Sequence, residues 1–242
     1  MDPTLSVMLS VGKADSLRGK KEHREAYWFN SRGQPTMYTL YFAAGACSLA
    51  SHITLEEIGA DYERHRVEFN AMEHQSNEYR ALNPKARVPT LITPHGPLTE
   101  TPAILAYLAQ SHPEVALAPL DDPYAFGQLQ AINSYLCSTV HVAHAHSGRG
   151  KRWVDDHSSI EAMKRKVPET MTACFQLMED TMIQGPWVFG DNYTVADPYL
   201  FTVTRWAVRD RVDITQFPKV SEHHRLIGER PAVKKVLEIE LL

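Results

Sequence analysis

The sequence predicts an α/β unit followed by an all-α unit, on three observations. Strand and helix patterns alternate from Met37 to about His112, strand signals largely stop beyond the proline-rich stretch from Pro113 to Pro123, and helical periodicity carries the remainder. The expected boundaries are residues 37–115 for the first unit and 121–242 for the second. Residues 1–36 are expected to belong to neither, as a disordered arm or an extension upstream of a true start at Met37, which directly precedes the first convincing strand.

Taken in order, Tyr38 to Ala43 is an aromatic-rich strand that meets a tight loop at Gly45. Cys47 to Ile58 follows as a helix, with Leu49, Ile53, Leu55 and Ile58 at mixed three- and four-residue spacings and Gly59 placed to end it. Tyr62 to Phe69 reads as the second strand. Val88 to Thr93 is a short branched run entered through Asn83 and Pro84, and His95-Gly96-Pro97 turns it into another strand. Thr101, Ile104, Leu105 and Leu108 recur at i, i+3, i+4, i+7 and mark a helix face. In the second half the expected helices are Tyr124–Ala145, Ser158–Ile183 with a kink or break at Pro168, Thr194–Arg209, Phe217–Gly228 and Pro231–Leu242. Thr194 and Asp197 are spaced as a capping box, in which each side chain reaches a backbone amide at the helix start.

Composition narrows the partners. With 43% apolar and 22% charged residues, the 242-residue chain can bury a full core, which excludes disorder throughout. Twenty-five Lys and Arg against 29 Asp and Glu leave a net charge of −4, so there is no positive field for nucleic acid. The longest apolar runs, such as Val195–Val203 with Asp197 inside it, fall short of the ~20 residues a membrane helix needs. Three widely spaced cysteines, Cys47, Cys137 and Cys174, fit reduced thiols in a cytoplasmic protein better than a disulfide framework.

Cys47 stands after a strand and at a helix start, where free amides and the helix dipole favour an anion, so a thiolate is expected to form there more easily, with Ser48 as a second donor. Ala50 occupies the position where a dithiol oxidoreductase carries its second cysteine, so no resolving thiol is local. His144 and His146 lack acid or cysteine partners at helical spacing apart from Cys137 ahead of His141, and no metal site is expected. Arg149, Arg152 and Trp153 follow closely, residue types suited to an acidic or aromatic compound.

Four segments occur in family order and carry a resemblance. The stretch from Leu40 to Leu55, containing Gly45-Ala46-Cys47-Ser48, resembles the opening of the bacterial beta-class enzymes among the cytosolic glutathione transferases. Asn83-Pro84-Lys85-Ala86-Arg87-Val88-Pro89-Thr90-Leu91 and Leu98-Thr99-Glu100-Thr101 are similar to the next two glutathione-site segments, and Thr194–Phe201 to the family's buried capping box. The resemblance covers Met37 to Leu242. It implies a thioredoxin-like domain followed by a helical one, a homodimer, and glutathione as cosubstrate without a metal. It also implies detoxification chemistry, either attack of the glutathione thiolate on a small hydrophobic electrophile or thiol-disulfide exchange through Cys47. The alternative on the same fold is a ligand-binding scaffold without turnover.

Carried over residue by residue, Cys47 either forms a mixed disulfide with glutathione or holds its thiolate by a hydrogen bond. Val88, before a Pro89 that is cis in the family, pairs with the cysteinyl backbone. Glu100 takes the γ-glutamyl ammonium and Thr101, with the helix amides, its carboxylate. His141 matches a histidine that faces the cysteine and can take a proton. Thr101 stands where close beta-class relatives often carry glycine, and Val142 replaces a family lysine. The lysine that would meet the glycine end has no counterpart at Met72-Glu73, leaving Arg87 or Lys85 for that contact.

Overall fold

The computed structural model describes residues 38–241, so the expectation for residues 1–36 lies outside the described residues. Four strands form one sheet in the order β2-β1-β3-β4, with β1 Tyr38–Phe42, β2 Tyr62–Arg66, β3 Thr90–Thr93 and β4 Gly96–Thr99. β1 runs parallel to β2, pairing Tyr38 with Tyr62, and antiparallel to β3, pairing Leu40 with Leu91. β3 and β4 close the sheet as a hairpin. Every residue of β1 is buried, as expected for a central strand covered on both faces. One face packs Leu40, Phe42 and Leu91 against Leu55 of α1 (Ser48–Glu57) and Ile104 and Leu108 of α3 (Thr101–Ser111). The other packs Tyr41 and Ile92 against Tyr79 of α2 (Asn77–Leu82). This is the thioredoxin-like arrangement that the resemblance implies.

The rest is helical. α4 (Pro123–Tyr135) is capped by Asp122, whose carboxylate accepts from the amides of Tyr124 at 2.9 Å and Ala125 at 3.0 Å. It continues through a π-helical turn, Leu136–Val140, into α5 (His141–Ala145). α6 (His157–Leu177) starts at its cap Asp156, which accepts from Ser159 N at 2.7 Å. Pro168 lies inside α6, so of the kink or break that the sequence predicts the break is absent. A proline costs one backbone hydrogen bond, and Val167 and Met171 on either side are anchored in the core. The irregularity comes later, as a π-helical segment at Met178–Met182.

α7 (Ala196–Thr204) is buried along its whole length, and α8 (Pro218–Glu229) and α9 (Pro231–Glu240) complete the chain. The expected capping box is present and larger than the sequence implied. Asp197 accepts from Thr194 N at 2.6 Å and Thr194 Oγ1 at 3.1 Å, and also from Val188 N at 2.8 Å, with His223 Nε2 at 2.9 Å. The two halves meet through α1. Leu49 and Ile53 pack with Phe201 of α7, Ile227 of α8 and Val233 and Val236 of α9, so the helix headed by Cys47 belongs to both cores.

Candidate active site

Between β1 and α1 the chain turns through Ala43–Ala46, with Gly45 at φ 69°, a conformation that favours glycine. Both polar groups of Gly45 are held from the helical half. Its amide donates to Glu240 Oε2 at 3.1 Å, and its carbonyl accepts from Trp206 Nε1 at 3.0 Å. The other oxygen of Glu240 lies 2.7 Å from His52 Nδ1, with both side chains fully buried. Thus the last described helix reaches back to fix the loop two residues ahead of Cys47. The sequence signal for Glu240 was an acid in line with Val233 and Val236 on the buried face of α9. It was not read as such.

Ser48 corrects an expectation. Its hydroxyl donates to Ala43 O and accepts from Ala43 N, each at 3.1 Å, and it is fully buried. It ties the loop and leaves no donor for a sulfur.

Cys47 is 9% exposed and its thiol donates to Val88 O at 3.4 Å. Burial pushes the thiol up to about 11, and the Thr101 side chain and the Arg149 guanidinium pull it down only in part. The expectation of an easily formed thiolate is therefore reversed in the free protein. The helix start is real, but desolvation outweighs it, and a bond from S–H to a carbonyl stabilises the neutral form.

Val88, buried, precedes a cis Pro89. The loop behind it is shaped by Asn83 and Tyr79: Tyr79 Oη donates to Arg87 O at 2.7 Å, Asn83 Nδ2 to the same oxygen at 2.6 Å, and Lys85 N to Asn83 Oδ1 at 3.1 Å. These bonds give a physical reason for the Asn83–Pro89 pattern, since they face the Arg87 carbonyl inward while the Arg87 side chain remains exposed.

Glu100 precedes α3 at φ 77° and ψ 121°, outside the regions a non-glycine residue normally adopts. Thr101, 4% exposed, opens the helix and sits beside the Cys47 thiol. The Glu100 carboxylate meets Lys85 Nζ at 2.5 Å, and Lys85 also donates to Thr99 Oγ1 at 2.7 Å. Lys85 therefore stands at the Glu100 end of the site.

The facing wall is helical. His141 heads α5, its ring 4.9 Å from that of Trp206, and His144 stacks on the same indole at 4.3 Å. His144 Nδ1 lies 2.7 Å from the buried Asp210 Oδ2, so this histidine is a support for the wall rather than a surface group. Burial, followed by Arg149, His144, Arg152 and Arg87, pushes His141 down to about 4, which keeps it neutral at pH 7. No hydrogen bond joins His141 to Cys47 among the described residues. Cys137, in the π-helical turn, packs against the core that contains Cys47 and Tyr199 and acts on the Cys47 thiol, and Tyr199 is raised well above the ordinary phenol value by burial first and by these thiols next. No group of three or more potential metal ligands occurs among the described residues.

Comparison with known proteins agrees with this geometry. Residues 36–110 match the family "Glutathione S-transferase, N-terminal domain", and residues 148–240 match "Glutathione S-transferase, C-terminal domain". Glutathione S-transferase GstA of Escherichia coli O157:H7 is 32% identical over 204 residues, covering 83% of this chain and 98% of that protein. A glutathione transferase homologue from Sulfitobacter, solved with bound glutathione, is 42% identical with a TM-score of 0.83, covering 86% of this chain and all of that one. BphK, a bacterial enzyme of the same kind solved as a ternary complex, is 29% identical with a TM-score of 0.75, covering 84% and 100%. The chain belongs to the glutathione S-transferase family.

Proposed function

We propose that the cleft binds glutathione along its sheet-side wall and delivers the glutathione thiolate to a small hydrophobic electrophile held against the helical wall. The observation that carries this is the arrangement of the Val88 backbone, whose carbonyl accepts from the Cys47 thiol, with the helix start at Thr101 beside that thiol and the carboxylate of Glu100 immediately ahead of it in the chain. Val88 pairs with the cysteinyl backbone, as an added strand would. Thr101 and the first amides of α3 receive the γ-glutamyl carboxylate. Glu100 exchanges Lys85 for the γ-glutamyl ammonium. That exchange is cheap, because the present ion pair is about half exposed and such pairs contribute at most about 1 kcal/mol. Arg87 takes the glycine carboxylate.

Of the two chemistries open to Cys47, its geometry favours conjugation over thiol exchange. A thiol that holds its proton to about pH 11 is a poor nucleophile at pH 7 but a good donor. In this role Cys47 turns its S–H from Val88 O to the glutathione sulfur and stabilises it as the thiolate. The sulfur forms the new C–S bond, and the leaving group departs with its electron pair. Neutral His141 is too weakly basic to keep the thiol's proton, which passes to solvent, and it serves as a polar contact on the acceptor side.

The glutathione-binding unit is residues 37–115 and the acceptor-side unit residues 121–242, and the working form is a homodimer. Among the described residues no helix is long and apolar enough to cross a membrane. The test is retention on immobilised glutathione followed by turnover of an activated aryl halide and of a mixed disulfide. Retention with faster turnover of the halide is expected. No retention and no turnover overturns the reading, and exchange without conjugation would move Cys47 to the nucleophile's role.

A further inference from the structure

The turn after α5 carries two arginines, Arg149 and Arg152, and it is built to hold them in place. Arg149 N donates to Ala145 O at 2.8 Å, Arg152 N to Arg149 O at 2.9 Å and Trp153 N to Gly150 O at 2.9 Å. Gly150 sits so close to α6 that a Cβ there would lie 3.0 Å from Ile160 and 3.3 Å from Met163. The rings of His146 and Trp153 lie 4.3 Å apart, tilted by 46°, beside the turn, and Trp153 is 47% exposed. Among the described residues neither arginine has a carboxylate within ion-pair distance, and neither has Arg87 of the opposite wall, whose charge acts on Arg152.

Three guanidinium groups gathered without a counter-ion repel one another, and an anionic ligand relieves that repulsion. The direction of the neighbouring groups reports the same field. Arg152 is lowered by burial and then by Arg149 and Arg87, and Arg149 also acts on Cys47, on His141 and on His74 of the sheet-side half. On the reading above, glutathione fills only part of this demand. Its γ-glutamyl carboxylate goes to α3 and its glycine carboxylate to Arg87, which leaves Arg149 and Arg152. Both lie on the helical wall with His141 and Trp206, the side toward which the glutathione sulfur must point to meet an acceptor.

We infer that the acceptor site selects electrophiles that carry a carboxylate, with Arg149 and Arg152 as the anion-binding pair and the exposed aromatic surface of Trp153 beside them. Guanidinium suits this role because its planar fork pairs with both oxygens of a carboxylate and stacks on rings. The inference rests on the transferase reading and adds the substrate class to it.

A matched pair of acceptors tests it: ethacrynic acid, an aryl vinyl ketone bearing a carboxylate, and its methyl ester. In each, the glutathione sulfur adds to the terminal alkene carbon, and the electron pair at the α-carbon takes a proton from water. The bond-forming step is common, and only the charge differs. At saturating glutathione and low salt, the full chain should turn over the acid with a kcat/KM about 10-fold or more above that of the ester, the range of one or more charge-assisted contacts. In the double variant Arg149→Gln, Arg152→Gln this acid-to-ester ratio should fall by about 10-fold, chiefly through the acceptor KM. Without any substitution, added salt should lower kcat/KM for the acid more than for the ester. If the ester is preferred, or the ratio is indifferent to both the substitutions and salt while turnover persists, the inference fails and the transferase reading stands. If neither acceptor is turned over and glutathione is not retained, both fail.

Discussion

The two walls of the cleft are built by opposite strategies. The sheet-side wall is local: Cys47, the Asn83–Pro89 loop and the Glu100–Thr101 helix start are short contiguous segments whose hydrogen bonds mostly run within a few residues, as from Asn83 to Arg87 and from Ser48 to Ala43. The helical wall is assembled over distance. Trp206 reaches Gly45 across 161 residues, Glu240 reaches it across 195, and Asp210 supports His144 across 66. One wall presents backbone and a few fixed polar groups, suited to a constant peptide. The other presents side chains drawn from separate helices, suited to a variable acceptor. Cys47 lies at the seam, its own helix shared by both cores.

The largest expected effect falls on the seam. Glu240→Ala removes the partner of a fully buried His52 and the acceptor for Gly45 N. Leaving buried donors without their acceptor costs about 1–3 kcal/mol, and more where the lost acceptor is charged. Urea denaturation should show that loss, and a cost under about 1 kcal/mol, the range of an exposed pair, would mean that the helical half does not hold the loop.

A smaller effect tests how the walls set the charge at the seam. With its thiol near 11 against an ordinary value of 9.0, Cys47 should be alkylated at pH 7 about 100-fold more slowly than a free thiol, with its rate rising toward pH 11. Because the folded thiol keeps its proton longer than the unfolded one, its contribution to stability is complete below pH 9 and is lost as pH rises through about 11. His141 has the opposite sign. It is lowered from 6.5 to about 4, so its contribution is complete above pH 6.5 and is lost as pH falls toward 4. Fast alkylation of Cys47 at pH 7 would show that the helix start outweighs burial after all.

The sequence made the sheet-side wall legible because its residues are adjacent and the local rules are strong. A cysteine after a tight glycine turn, an Asn-Pro turn before a strand and an acid-threonine helix start each carry their own signal. The helical wall was legible in part, at His141 and the Arg149–Trp153 turn. Trp206 and Tyr199 looked like ordinary members of an apolar helix, and nothing local pairs His144 with Asp210. Two errors share one cause. The thiolate expected at Cys47 and the donor expected at Ser48 both counted the groups at the helix start without counting burial, which raises the thiol and turns the hydroxyl back onto Ala43. The π-helical turn at Leu136–Val140, which carries Cys137 to the core that contains Cys47, left no trace in the periodicity.

Calorimetric titration of glutathione into Glu100→Ala and Cys47→Ala tests most directly the claim that the sheet-side wall binds the peptide and the seam serves the chemistry. Loss of a charge-assisted contact of about 1.5–3 kcal/mol predicts that Glu100→Ala weakens binding by roughly 10- to 100-fold, while Cys47→Ala weakens it by less than about 5-fold. Binding lost in Cys47→Ala and retained in Glu100→Ala would contradict that division of roles.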